Sequence, residues 1–69
     1  MKTFLLIYLF TLGSGDILEA EDAMVRTTPA MCEHIAVERE EALLKDIQYS
    51  NGLMVDVTVK CREVAHASN

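Results

Sequence analysis

The chain has 69 residues, of which 51% are hydrophobic and 25% are charged, and its formal net charge is −5. This length supports one domain with one small core, and the hydrophobic share argues against a disordered chain. The acidic balance excludes direct nucleic-acid binding, because phosphate neutralisation requires a basic stripe. We also predict no membrane span, since the longest apolar run falls short of the ~20 residues that a bilayer requires.

The apolar run at residues 2–12, KTFLLIYLFTL, has two interpretations. It is rich in β-branched and aromatic residues and stops at turn residues, which favours a strand in the centre of the fold. It also fits a secretory signal, with Lys2 as the basic segment and small residues at Gly13-Ser14-Gly15 for cleavage. The strand predicts an intact cytoplasmic protein, whereas the signal predicts a secreted or periplasmic one that is cleaved near Gly15.

A second, more polar strand is predicted at residues 17–26. The glycine-containing turn at residues 13–16 makes it antiparallel to the first strand. Its acids Glu19, Glu21 and Asp22 suit an edge of the sheet, which must not recruit further strands.

The next segment carries the start and stop signals of a helix. Thr28 is a good N-cap, and Pro29 suits the first helical position. Asn51 or Gly52 can adopt the left-handed conformation that ends a helix. We therefore predict a helix over residues 29–48.

Residues 53–64 show the clearest strand pattern in the chain. Hydrophobic and polar residues alternate along them, which is the period of a sheet with one buried face. The last residues, 66–69, are expected to form a frayed tail.

These elements predict a single α+β domain over residues 1–69, with the element order ββαβ. A helical crossover returns the last strand parallel to the second, and the most apolar strand belongs in the centre. We therefore expect a three-stranded antiparallel sheet in the order 2-1-3, with the helix packed on one face.

The other face would expose alternate residues of the first strand, either Leu5, Ile7 and Leu9 or Phe4, Leu6, Tyr8 and Phe10. Such a stripe favours an interface, with a homodimer through the open sheet face or another protein as partner.

The two cysteines, Cys32 and Cys61, are predicted to lie at the same end of the domain. A disulfide between them would close a loop of about 29 residues and stabilise the fold by ~3 kcal/mol. In a cytoplasmic protein we expect two buried thiols instead, and in a secreted one the bridge is nearly required. A zinc site that adds His34 and His66 is disfavoured, because Cys32 and His34 lie on nearly opposite sides of a helix.

The sequence offers no arrangement that points to catalysis. Ser14 lies in a turn without the strand–turn–helix elbow of a hydrolase, and Gly13-Ser14-Gly15 is too short for a phosphate loop. The adjacent Glu40 and Glu41 lack an enclosing pocket that would separate their pKa values. We therefore expect neither an enzyme nor a cofactor.

The acidic residues are concentrated in the second strand and the helix. Such a surface complements a basic protein surface, or it serves solubility alone. On the helix, Val37 and Leu44 also point away from the main apolar arc and favour a protein contact. The candidate partner-binding residues are Glu19, Glu21, Asp22, Glu33, Glu38, Glu40 and Glu41.

Three segments carry a resemblance: the opening Lys-Thr-Phe-Leu-Leu-Ile-Tyr-Leu-Phe run, the Thr-Pro-Ala-Met-Cys-Glu helix start and the later Val-Lys-Cys-Arg-Glu strand. With its small size and acidity, the chain resembles orphan proteins encoded by phages and prophages, among them anti-CRISPR proteins. The resemblance implies a stoichiometric inhibitor that binds a Cas effector and places carboxylates where DNA phosphates would lie.

Three functional hypotheses remain open. The first is a small cytoplasmic inhibitor of phage type that blocks the basic, DNA-binding surface of a Cas effector by charge mimicry. The second is a secreted or periplasmic domain with a cleaved signal and a Cys32–Cys61 disulfide. The third is a structural homo-oligomer with no outside partner.

Overall fold

The computed structural model describes residues 1–64. Its elements follow the predicted order, with bounds that differ from the predicted ones by one residue or less at each end. The frayed tail expected at residues 66–69 lies outside the described residues. The elements are β1 (Lys2–Leu12), β2 (Ile17–Thr27), α1 (Pro29–Ile47) and β3 (Met54–Glu63).

The predicted α+β fold is confirmed: one antiparallel sheet has the strand order β2-β1-β3, and one helix packs on it. β1 takes the centre, as expected for the strand that is apolar on both faces. It is hydrogen-bonded to β2 along one edge and to β3 along the other. Its residue Tyr8 pairs with Ala20 on β2 and with Val59 on β3.

The register between β1 and β2 contains a bulge. Leu5 pairs with Met24 and Ile7 pairs with Glu21, so residues 22 and 23 of β2 together stand opposite Leu6. A bulge inserts an unpaired residue and changes the face to which the following side chains point. The bulge therefore brings Met24 onto the same side of the sheet as Glu19 and Glu21.

The hydrophobic core lies between α1 and the sheet. Phe4 and Leu6 of β1 meet Cys32 and Ala36 of α1, and Val59 of β3 closes the cluster. Leu6 and Cys32 are fully buried, at 0% exposure. Because α1 packs mainly against β3, the helix covers the β3 side of this face more fully than the β2 side.

Local capping explains where the helix begins. The Thr28 hydroxyl accepts a hydrogen bond from the Met31 N–H at 3.2 Å, and Pro29 occupies the first turn, as predicted. The helix ends at Ile47, and in the turn that follows, Asn51 and Gly52 take positive φ values of 57° and 80°.

The turn that follows β1 and the turn that precedes β3 touch each other through Gly13. Its N–H donates to the carbonyl oxygen of Leu53 at 2.9 Å, and a Cβ on Gly13 would clash with the carbonyl oxygen of Gly52. Glycine is therefore required there by close backbone approach rather than by its own φ.

The sheet face that α1 does not cover carries Leu5, Ile7 and Leu9 of β1, the first of the two predicted stripes. We call it the open face. Ile7 is only 8% exposed although no helix lies over it, since side chains from the neighbouring strands shelter it. Within residues 1–64, no helix is long and apolar enough to cross a bilayer.

Candidate functional site

The seven predicted partner-binding acids do not form one surface. Their positions fall into three groups that differ in environment and in the partners of each carboxylate. Two lie on the open face, two are engaged in contacts between α1 and the sheet, and three lie on the solvent side of α1. In that order, the groups are Glu19 and Glu21; Asp22 and Glu40; and Glu33, Glu38 and Glu41.

On the open face, the acids of β2 are balanced by bases of β3. Glu21 pairs with Ile7, and Lys60 pairs with Ile7 from the other side, so the two charges flank the same residue of β1. A carboxylate oxygen of Glu21 lies 3.5 Å from the guanidinium of Arg62, across the central strand. The open face is therefore mixed in charge, although β2 is the edge strand that the sequence predicted.

Asp22 directly follows Glu21 in β2, and it points to the opposite side of the sheet, as successive strand residues do. Its Oδ2 accepts a hydrogen bond from the Tyr8 hydroxyl and another from Arg39 Nη1 at 2.6 Å. Arg39 Nη1 also donates to the Tyr8 oxygen at 2.9 Å. These three residues join the middle of α1 to β1 and β2, so Arg39 has the role of a tertiary clamp.

The charges of this clamp are fixed at neutral pH. The hydrogen bond from Tyr8, with the Ala23 N–H and Arg39, holds the pKa of Asp22 below its ordinary value of 3.8. Burial, then the bond to Asp22, raises the pKa of Tyr8 above 10.0. An ionised acid, a neutral phenol and a guanidinium offer no proton donor or acceptor that titrates near pH 7, which favours a structural role over general acid–base catalysis.

We predict that Asp22→Asn destabilises the protein at pH 7 and that this deficit is smaller at pH 2.5. The folded pKa of Asp22 is depressed, so its contribution is present above the unfolded pKa and is lost as pH falls through the folded pKa, below 3.8. Urea unfolding of both proteins at the two pH values measures this. Asp46→Asn, at an exposed acid of α1, is the control; a deficit of Asp22→Asn that is the same at pH 7 and at pH 2.5 would contradict the assignment.

Glu40, like Asp22, takes part in a contact between α1 and the sheet. One of its carboxylate oxygens accepts the N–H of Val59 at 2.9 Å, on the side of β3 that faces away from β1. An edge strand presents unpaired N–H groups that invite another chain. The Glu40 side chain covers that edge at its centre, which leaves this carboxylate less free for a partner.

The remaining acids lie on the solvent side of α1. At about 100° per residue, Val37 and Leu44 fall between Glu33 and Glu41 around the helix axis. Val37 is 54% exposed and Leu44 is 38% exposed. We call the surface formed by Glu33, Val37, Glu38, Glu41 and Leu44 the outer helix face. The same arc also carries Lys45 and His34, whose Nε2 lies 3.6 Å from the Glu38 carboxylate.

The two cysteines are joined in the structure. Cys32, in the first helical turn, forms a disulfide with Cys61 of β3, with the two Cα atoms 6.3 Å apart. The bond attaches the start of α1 to the sheet, while the Arg39 clamp holds its middle. The outer helix face is therefore presented by a helix that is fixed at two points.

Sequence reasoning missed three of the residues that shape these surfaces. Lys60 and Arg62 balance the acids of the open face, and their alternation with Val59 and Cys61 was the signal that could have found them. Tyr8 was assigned only to the apolar run, and nothing local reveals that its hydroxyl meets Asp22.

Within residues 1–64, no cluster of three or more histidine, cysteine, aspartate or glutamate side chains is arranged to hold a metal ion. Comparison with family models, with curated proteins and with solved structures finds no match to the chain. No residue therefore takes a role from a relative, and the outer helix face is a candidate site on its own geometry.

Proposed function

We propose that this protein is a small binding protein of the phage-inhibitor type, which occupies a basic, DNA-binding surface of a Cas effector through the outer helix face. The observation that carries the proposal is the composition of that face. Two exposed apolar side chains, Val37 and Leu44, lie among three acids on a helix whose middle the Arg39 clamp holds against the sheet.

The chemistry of the face fits a partner that is basic at its rim and apolar at its centre. Apolar anchors that lose water supply most of the affinity of an interface, and charged residues around them steer the encounter and select the partner. The acids Glu33, Glu38 and Glu41 would pair with lysine or arginine side chains around a pocket for Val37 and Leu44.

The outer helix face has too few charges to mimic a DNA duplex fully. Glu33 and Glu41 are eight residues apart, which is about 12 Å along the helix axis. A DNA duplex carries about seven phosphate charges over that length. Three carboxylates therefore replace only part of a phosphate array, and the proposal requires the apolar anchors as well as the charges.

The proposal is tested by binding to purified Cas effectors loaded with guide RNA, with inhibition of DNA cleavage as the second readout. The triple variant Glu33→Lys, Glu38→Lys and Glu41→Lys should weaken binding at least tenfold, because it replaces three attractions by repulsions. Raising the salt from 50 to 300 mM should weaken the wild type as well.

The matched control is Asp16→Lys, Asp46→Lys and Glu63→Lys, which changes the net charge equally at exposed sites outside the outer helix face. It should bind like the wild type. If both triple variants lost the same amount of binding affinity, net charge alone would explain the effect and the outer helix face would not be the binding surface. A lack of binding across Cas effectors of several types would reject the proposed target.

The disulfide favours a second candidate, a secreted or periplasmic domain, since structural disulfides persist in oxidising compartments. In that candidate the N-terminal run is a signal, and cleavage near Gly15 removes β1. The remaining strands β2 and β3 would lose the neighbour that both of them pair with. A native product that begins near Asp16 would support this candidate over the inhibitor.

A further inference from the structure

We propose that the open face binds a second copy of this chain, in a two-fold dimer whose axis runs parallel to β1 between the two sheets. This surface is separate from the outer helix face, and the proposal does not depend on the identity of any target. It rests on how charges and apolar side chains are distributed over the three strands.

The open face has a central apolar stripe with opposite charges at its two sides. Leu5, Ile7 and Leu9 form the stripe on β1. On the β2 side they pair with Met24, Glu21 and Glu19, and on the β3 side with Arg62, Lys60 and Thr58. Directly paired residues share a face, so acids lie to one side of the stripe and bases to the other.

A two-fold axis parallel to β1 turns this asymmetry into complementarity. The rotation places the second copy's β2 over β3 and its β3 over β2, while each residue keeps its level along the strand. Glu21 and Lys60 both flank Ile7, so Glu21 of each copy comes to lie over Lys60 of the other. In the single copy Glu21 lies 3.5 Å from Arg62 of its own chain, across the stripe, so the dimer exchanges this ion pair for Glu21–Lys60 pairs between copies and brings the two stripes together along the axis.

The alternative axis, perpendicular to the strands, produces repulsion. It places β2 over β2 and β3 over β3, and when it passes Ile7 it sets Glu21 against Glu21 and Lys60 against Lys60. Like charges opposed across an interface suppress the wrong arrangement. The charge pattern therefore selects the parallel axis, with the strands of the two sheets crossing by about 30° as in aligned sheet packing.

Size and burial set the strength of this dimer. Three strands of about ten residues offer ~450 Å² per copy, so the pair buries less than the ~1,200–2,000 Å² of standard stable interfaces. Ile7 is already 8% exposed in the single copy, whereas Met24 is 62% exposed. The added apolar burial therefore comes from the rim of the stripe, and we expect a dissociation constant in the micromolar range or weaker.

The dimer would give the protein two binding surfaces. The open face and α1 lie on opposite sides of the sheet, so the two outer helix faces point away from each other. A dimer can then engage two copies of a target, or one target with repeated sites, with a gain from effective concentration.

Sedimentation across dilution from 1 mM to 1 μM, in 50 mM salt, tests the proposal. The wild type should pass from twice the mass of the 7.7 kDa chain to the single mass. Glu21→Lys and Lys60→Glu should each weaken association at least fivefold. The double variant, Glu21→Lys with Lys60→Glu, should recover most of the loss because the two charges then pair in the reverse sense.

Three results would overturn the proposal. One is a protein that remains monomeric at 1 mM, which would leave the open face to solvent or to another protein. Another is a dimer that neither single variant weakens. The third is a double variant that is no better than the singles although circular dichroism shows all three to be folded. Glu33→Lys, on the outer helix face, is the control and should dimerise like the wild type.

Discussion

Leu6→Ala should remove most of the free energy of unfolding. Leu6 is 0% exposed at the centre of β1, and it packs in the cluster with Phe4, Cys32, Ala36 and Val59. Truncation loses the transfer free energy and leaves a cavity, and together these cost about 2–5 kcal/mol at fully buried leucines. A chain of this size has a total stability of about 3–10 kcal/mol.

Guanidinium unfolding under oxidising conditions measures the effect. Leu9→Ala is the matched control, because Leu9 lies on the same strand, on the open face and only partly buried. We expect its cost to be less than half that of Leu6→Ala. Equal costs would mean that the two faces of β1 are equally buried, which contradicts a fold with one helix on one face.

Loss of the disulfide should have the second large effect. Cys32 and Cys61 are separated by 29 residues, and the chain-entropy treatment gives about 3–4 kcal/mol for a loop of that length. The bond also holds the first turn of α1 against β3, so the helix start should fray when it is broken. We predict a large fall of the thermal midpoint in a reductant such as TCEP.

The double variant Cys32→Ala with Cys61→Ala distinguishes loss of the disulfide from any direct effect of the reductant on stability. Its midpoint should match that of the reduced wild type and should not respond to further reductant. A wild type whose midpoint is the same with and without reductant would show that the bridge does not form or does not stabilise. Combined with Leu6→Ala, the loss should leave the chain largely unfolded at 37 °C.

The topology could be predicted because its signals are local and mutually consistent. An apolar run that stops at a glycine turn gave the central strand, Thr28 and Pro29 gave the start of α1, and strict alternation gave β3. Each element carries its own pattern, and the strand order 2-1-3 follows from which strand must be covered on both faces.

The candidate site could be predicted only in part, because it depends on a register shift and on tertiary contacts. Glu21 and Asp22 are adjacent in sequence and looked like one acidic edge. Successive strand residues alternate in direction, so Glu21 lies beside Arg62 on the open face whereas Asp22 lies beside Tyr8 and Arg39 on the helix side. Period-2 patterns do not reveal a single inserted residue, and the pairing of Asp22 with Arg39 spans elements that no local rule connects.

The partner of Glu40 shows the same limit on the helix. In the sequence it is one of several exposed helical acids. In the structure its carboxylate accepts a backbone N–H from β3 at 2.9 Å. Only the position of α1 over β3, which packing decides, makes this acid different from its neighbour Glu41.

The central claim is that residues 2–12 remain in the folded protein as the middle strand of its sheet. Intact mass and N-terminal sequencing of protein purified from its natural host, with and without reductant, test it most directly. We predict a product that still contains Phe4 to Leu12, with a mass 2 Da lower before reduction than after it because of the Cys32–Cys61 bond. A product that begins at or near Asp16 would contradict the claim, since its sheet would have no centre.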